Sequence, residues 1–129
     1  MEKGGPKEEF VYRVSTAEEW EELRTSGATM GRDLDRNTRC IHLSNLHQVR
    51  MVLRNFFSER KDLYLLQIDA SKLGEGLIYE SADASNYFPH FYGPARSFAP
   101  LPLEAVIKAE KLDLVNSEFT CSLLDQERS

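Results

Sequence analysis

The chain has 129 residues, 41% hydrophobic and 29% charged, with a formal net charge of −5. That length fits one domain around one compact core, and no apolar run approaches the roughly 20 residues that a membrane span requires. The 16 basic residues are scattered singly, which argues against a broad nucleic-acid-binding surface but leaves room for a small anionic ligand.

Residues 1–8, MEKGGPKE, are polar and glycine-bearing and read as a flexible leader. They show neither the apolar core of a signal peptide nor the composition of a transit peptide, so a cytoplasmic location is the expectation. Cys40 and Cys121 lie far apart and read as reduced thiols rather than a disulfide framework.

The fold is expected to begin near Phe10. FVYRV alternates large apolar groups and reads as a strand, and STAEEWEELRTSG sets Thr16 three residues before Glu19, the reciprocal capping pattern that opens a helix. That helix should bury Trp20 and Leu23 and stop at Gly27. Residues 28–39, ATMGRDLDRNTR, have no period and read as a loop at the ligand-facing edge.

CIHLS follows as a short strand. Ser44 or Asn45 then caps a second helix, in which Leu46, Val49, Leu53, Phe56 and Phe57 share one face. DLYLLQID is dense enough in apolar groups for a central strand, and LIYE reads as the next one. From Ser81 to Pro100, prolines and aromatics predict a folded-down loop with one short strand around FPHFYG. LEAVIKAEKL alternates as a strand with one wet face. The tail from Asp113 carries apolar residues such as Leu114, Phe119 and Leu123 but ends in a charged stretch expected to fray. The predicted organisation is a leader (1–8), a single α+β domain (9–112) and a partly disordered tail (113–129), with a monomer as the default.

His42 and Ser44 are two apart on a strand, so both side chains should face one pocket where the strand hands over to a helix and its free N–H groups. The alternative is a hydrogen-bonded core histidine beside a helix-capping serine. Arg13, mid-strand, must reach solvent, pair with an acid or wait for an anion. His90 and Tyr92 sit among aromatics that would either wall a planar ligand or plug a core, and Glu80 ends its strand as an acid or ribose contact, or simply solvated. His42 and His47 are five apart, no cysteine–histidine cluster completes a site, and so no metal is expected. Phosphate-cradling glycine loops and nucleophile elbows are absent from the sequence.

Taken in order, VYRVSTAEEW, IHLSNLHQV, LYLLQIDASKLG, LIYE and FPHFYGP…LPLEAV resemble the family named domain of unknown function 952, over about residues 10–112. IHLSNLHQV followed by LYLLQIDASKL is also similar, more distantly, to RNA 2′-phosphotransferases of the ADP-ribosyltransferase superfamily. That resemblance implies a split, bent, antiparallel-rich sheet with two main helices gripping NAD. It places Tyr12 and Arg13 near a ribose, with Arg13 clamping phosphate or ribose. It puts His42 and Ser44 in the nicotinamide pocket, and His90 where classical transferases carry a catalytic glutamate. Tyr12, Arg13, His42, Ser44, Glu80 and Tyr92 form the expected cofactor-binding set, and His42, His90 and Arg13 the expected catalytic set. Histidine moves protons near neutral pH but lacks the glutamate's fixed charge. Three functions stay open: NAD or phosphorylated-nucleotide chemistry, a 2′,3′-cyclic phosphoesterase using His42 and Ser44, and a non-catalytic nucleotide- or protein-binding module.

Overall fold

In a computed structural model describing residues 8–81 and 86–126, strand β1 (Phe10–Thr16) runs directly into helix α1 (Ala17–Ser26). Thr16 makes the junction: its hydroxyl oxygen accepts the Glu19 N–H at 3.1 Å. The capping box is only half formed, because the Glu19 carboxylate turns to Arg13 rather than to the Thr16 backbone. Gly27, at φ 89°, closes the helix in the left-handed conformation and donates its N–H to the Leu23 carbonyl.

Residues 28–39, expected as a loop, instead hold strand β2 (Ala28–Thr29) and helix α2 (Asp33–Thr38). The reason is polar. Asp35 accepts the Arg32 N–H at 2.8 Å, and Arg39 leaves the helix at φ 62°. No apolar period announces such a helix.

Strand β3 (Ile41–His42) leads to helix α3 (Leu46–Phe56). Of the two candidate caps, Asn45 is the one used: its side chain accepts from Gln48 N while Gln48 Oε1 accepts from Asn45 N, both at 2.9 Å. Val49 and Leu53 are buried, but Phe56 is 73% exposed, contrary to the expected apolar face. It ends the helix beside an open cleft, and Phe57 packs inward in its place.

Strands β4 (Leu63–Asp69), β5 (Leu77–Ser81), β6 (Tyr87–Phe91), β7 (Leu101–Pro102) and β8 (Val106–Lys111) follow. All pairings are antiparallel: β1–β4–β8 form one sheet, β3–β6–β5 another, and β2 pairs β7. The two larger sheets touch through one backbone bridge, Tyr12 N to Ser44 O at 2.7 Å and Ser44 N to Tyr12 O at 2.8 Å, and then part. The structure is thus α+β, with antiparallel sheets and the two expected helices as its longest.

The single expected core is in fact two, because the β1–β4–β8 sheet is covered on both faces. Val11, Leu66 and Ile68 point to a cluster with Leu23, Ile41, Leu43 and Leu101. Their alternates Tyr12, Val14, Leu63 and Leu65 meet Val49 and Leu53. This second cluster is completed by the segment read from the sequence as a partly disordered tail. Strands β9 (Asp113–Val115) and β10 (Glu118–Thr120) form a hairpin through Asn116 and Ser117, both at positive φ, and helix α4 (Ser122–Gln126) buries Leu123 and Leu124. Glu110 anchors it, accepting from the Leu123 N–H at 2.9 Å and the Ser122 hydroxyl at 2.5 Å. Residues 1–7 of the predicted leader (1–8), part of the predicted 81–100 loop (82–85) and the last three residues lie outside the described segments. Among the described residues no helix is long and apolar enough to cross a membrane.

Candidate functional site

A cleft of about 1260 Å³ opens where the two sheets part, floored by β1, β3 and β6 and walled by α1, α2 and α3. Beyond the Tyr12–Ser44 bridge, β1 and β3 no longer reach each other, so their facing backbone groups need other partners. Three side chains supply them. Asp35 Oδ1 accepts the His42 N–H at 2.8 Å, Arg13 Nη1 donates to the His42 carbonyl at 2.9 Å, and Arg32 Nη2 donates to the Val14 carbonyl at 3.1 Å.

This cluster revises the role expected of Arg13. Its side chain is 2% exposed, and all five guanidinium N–H groups have protein acceptors. Nε and Nη2 meet the Glu19 carboxylate at 2.9 and 3.1 Å, Nη1 and Nη2 meet Asp35 at 3.0 and 2.8 Å, and Nη1 also reaches His42 O. No donor remains for a phosphate or ribose. Burial alone would lower the Arg13 pKa, but the Glu19 and Asp35 carboxylates outweigh it and hold the pKa above its ordinary value. Burial likewise pushes Asp35 up, and the Arg13 hydrogen bonds and charge bring it below the usual carboxylate range. Arg32 also pairs with Glu19, and its guanidinium lies over the Phe57 ring.

At the inner end of the cleft stand two histidines. His42 on β3 and His90 on β6 are direct cross-strand partners, so their side chains leave the sheet on the same face. Their ring centroids are 4.7 Å apart, edge to face. His42 Nε2 is 2.7 Å from the Thr38 hydroxyl and 3.8 Å from the Cys40 sulfur. Burial lowers the His42 pKa and the neighbouring His90 adds to the effect, so His42 favours the neutral form.

His90 Nδ1 lies 2.5 Å from Glu80 Oε1. Glu80 is itself held by the Tyr92 hydroxyl at 2.8 Å and by Arg96 Nη2 at 2.7 Å, with the Arg96 guanidinium 4.1 Å above the Tyr92 ring. Burial raises the Glu80 pKa, but the hydrogen bonds from Arg96, His90 and Tyr92 prevail and bring it to about 2. A carboxylate fixed against Nδ1 keeps the proton on that nitrogen and leaves Nε2 for exchange with a ligand.

Of the residues picked from the sequence, Tyr12, Arg13, His42, Ser44 and His90 line the cleft. Tyr12 does so with its hydroxyl turned away to accept from Gln67 at 3.0 Å, and Ser44 is buried and carries the bridge between the sheets. Glu80 and Tyr92 stand behind His90. Sequence reasoning missed Asp35, Arg32 and Arg96, whose roles depend on partners distant in the chain, and Thr38, whose partner His42 is four residues on. It also missed Phe88, a β6 neighbour of His90 two residues along, on the cleft face. Among the described residues no three His, Cys, Asp or Glu side chains are grouped to hold a metal.

The family model described as "Protein of unknown function (DUF952)" matches residues 14–109. In structure the chain is similar to protein CC0527 from Caulobacter crescentus. The crystal structure superposes with a TM-score of 0.79 at 27% identity, covering 93% of this chain and 99% of that one. The solution NMR structure of the same protein gives a TM-score of 0.72 at 27% identity, covering 87% and 91%. Among curated proteins none matches the sequence.

Proposed function

The chain belongs to the DUF952 family, and we propose that its cleft binds NAD or a phosphorylated nucleotide, with His90 as the acid–base group and His42 as its partner. The observation that carries this reading is the contact of the two imidazoles at the inner end of the cleft, with Glu80 fixed behind His90. A catalytic imidazole is useful when one nitrogen is locked and the other faces the reacting atom. The cleft volume suits a nucleotide. A sheet that splits over a cleft also agrees with the resemblance to the ADP-ribosyltransferase superfamily drawn from the sequence.

The residues present fit such a ligand in a particular way. With Arg13 fully engaged, Arg32 in the same cluster and Arg60 paired with Asp62, Arg36, exposed on α2, is the group proposed to meet a phosphate. Phe88 offers a face for a planar ring, and Ser44 and His42 offer hydrogen bonds. NAD, when bound, supplies an electrophilic ribose carbon with nicotinamide as leaving group. His90 Nε2 takes the proton of the attacking hydroxyl or water, and Glu80 stabilises the imidazolium that results.

Titration of ¹⁵N-labelled protein with NAD and with ADP-ribose tests this. The signals of His42, Ser44, Phe88 and His90 should move together and saturate. No movement at about 1 mM ligand, where a complex of that dissociation constant would be half formed, overturns the reading.

A second reading is favoured by the depressed His42 pKa. A neutral imidazole beside a carboxylate-backed one makes a base and an acid, the pair that hydrolysis of a 2′,3′-cyclic phosphate needs. Turnover of a cyclic nucleotide without NAD selects it. Ligand binding that survives His90→Ala, with no product from either class of substrate, selects a non-catalytic binding module.

A further inference from the structure

We propose that the outer part of the cleft docks an extended peptide of a partner protein, one presenting an arginine or lysine beside an apolar side chain. This rests on the preceding reading only in taking the cleft as the functional site; a different set of side chains carries it. Leu34 on α2 and Phe56 on α3 are 60% and 73% exposed, and both line the cleft. Val52, one turn before Phe56, continues the apolar surface inward. Large apolar groups left bare at the mouth of a concave site mark a surface that a partner covers.

Charge selects the partner. Arg13 and Arg32 are matched by Glu19 and Asp35, and Arg60 by Asp62 at 2.6 Å. Among the described residues, the remaining charges of the cleft are then Glu18, Glu22 and Asp33 against Arg36. Glu18 and Glu22 sit one turn apart on the same side of α1, exposed, and Asp33 opens α2. An acidic excess beside exposed apolar side chains complements a basic residue flanked by an apolar one and repels an acidic segment. A small free cation would answer the carboxylates but leave Leu34 and Phe56 bare, so the occupant is a peptide.

The test is an NMR titration of the full chain with the peptide Gly-Leu-Arg-Leu-Gly, its glutamine counterpart and free spermidine. The arginine peptide should shift the Leu34 and Phe56 amides saturably, and the glutamine peptide should bind about tenfold more weakly, the scale of two exposed charge pairs. The double variant Glu18→Gln/Asp33→Asn should erase that preference. Phe56→Ser, at an exposed position, should weaken both peptides by about fivefold. Equal binding of the two peptides, no peptide response, or a spermidine response as strong as the arginine peptide's each overturns the proposal. NAD titrated into the same samples reads His42 and His90. A lost nucleotide response with peptide binding kept defeats only the nucleotide reading, and the reverse defeats only this one.

Discussion

Replacing Arg13 separates a structural role from a ligand-binding one. In Arg13→Met the side chain keeps much of its length but leaves Glu19 and Asp35, each 3% exposed, without their shared cation. Removing one partner of a buried ion pair costs about 3–5 kcal/mol, mostly the penalty of the abandoned charge. Here Arg32 still pairs with Glu19, and Asp35 still accepts the N–H groups of Arg32 and His42. The loss should therefore fall near the lower end, about 3 kcal/mol. Arg13→Lys keeps the charge but offers three donors on one nitrogen in place of a planar fork, and should cost about 1.5–3 kcal/mol.

Urea unfolding followed by the fluorescence of Trp20, the only tryptophan, measures both. With a slope of about 1–3 kcal/mol per molar for a protein of this size, Arg13→Met should lower the midpoint by about 1–3 M. Hydrogen exchange should show the His42 amide opening first, since its acceptor Asp35 belongs to the damaged cluster. If both variants unfold within about 0.5 kcal/mol of the parent, the ordinary range for an exposed substitution, and only nucleotide binding suffers, the reasoning fails and Arg13 is a clamp after all.

Three further outcomes follow from the same geometry. Glu80 has a folded pKa of about 2 against an ordinary 4.5, so the unfolded chain binds its proton first. The stability it contributes is complete above 4.5 and is lost as pH falls towards 2. Glu80→Gln should flatten the acid limb of the urea midpoint in that window, leaving a residual slope from Asp35, whose pKa is also depressed; an unchanged limb would show that the Arg96 and His90 contacts do not form in solution. His42 should titrate below 6.5 by NMR, and His90→Gln should move it upward by removing the neighbouring imidazole that adds to its depression; a downward move contradicts the ring contact. Leu123→Ala should cost about 2–5 kcal/mol as a fully buried leucine, against a change within about 0.5 kcal/mol for exposed Phe56→Ser, and near-equal values would mean that the C-terminal segment does not pack as described.

What the sequence made legible was what local chemistry decides. Thr16 and Glu19 marked the strand-to-helix junction, the spacing of Val49 and Leu53 marked α3, and the apolar density of residues 63–69 marked a strand covered on both sides. Helix α2 was not legible, because its organiser is a single aspartate whose partners Arg13 and His42 lie 22 and 7 residues away. Phe56 misled for a related reason: a helical period says which residues share a side, and only the neighbouring elements say where cover ends. The hairpin after Leu112 had its turn in plain view at Asn116, but its burial depends on Glu110 catching the start of α4.

The site divides along the same line. That His42 and Ser44 would face one pocket followed from a period of two, whereas the meeting of His42 with His90 follows from a β3–β6 register that nothing local sets. Arg13 shows the limit most clearly, since a guanidinium in mid-strand is compatible with solvent, acid or anion until the fold brings Glu19 and Asp35 to it. The choice it makes also explains the cleft. Two antiparallel strands that separate after one bridge would leave bare backbone at the parting, and an unpaired buried N–H or C=O costs on the order of 1–3 kcal/mol. Arg13, Arg32 and Asp35 occupy the gap and satisfy the His42 N–H and carbonyl and the Val14 carbonyl. The sheets are thereby held apart at a fixed opening, and His42, whose backbone is part of that wedge, is held where its ring meets His90.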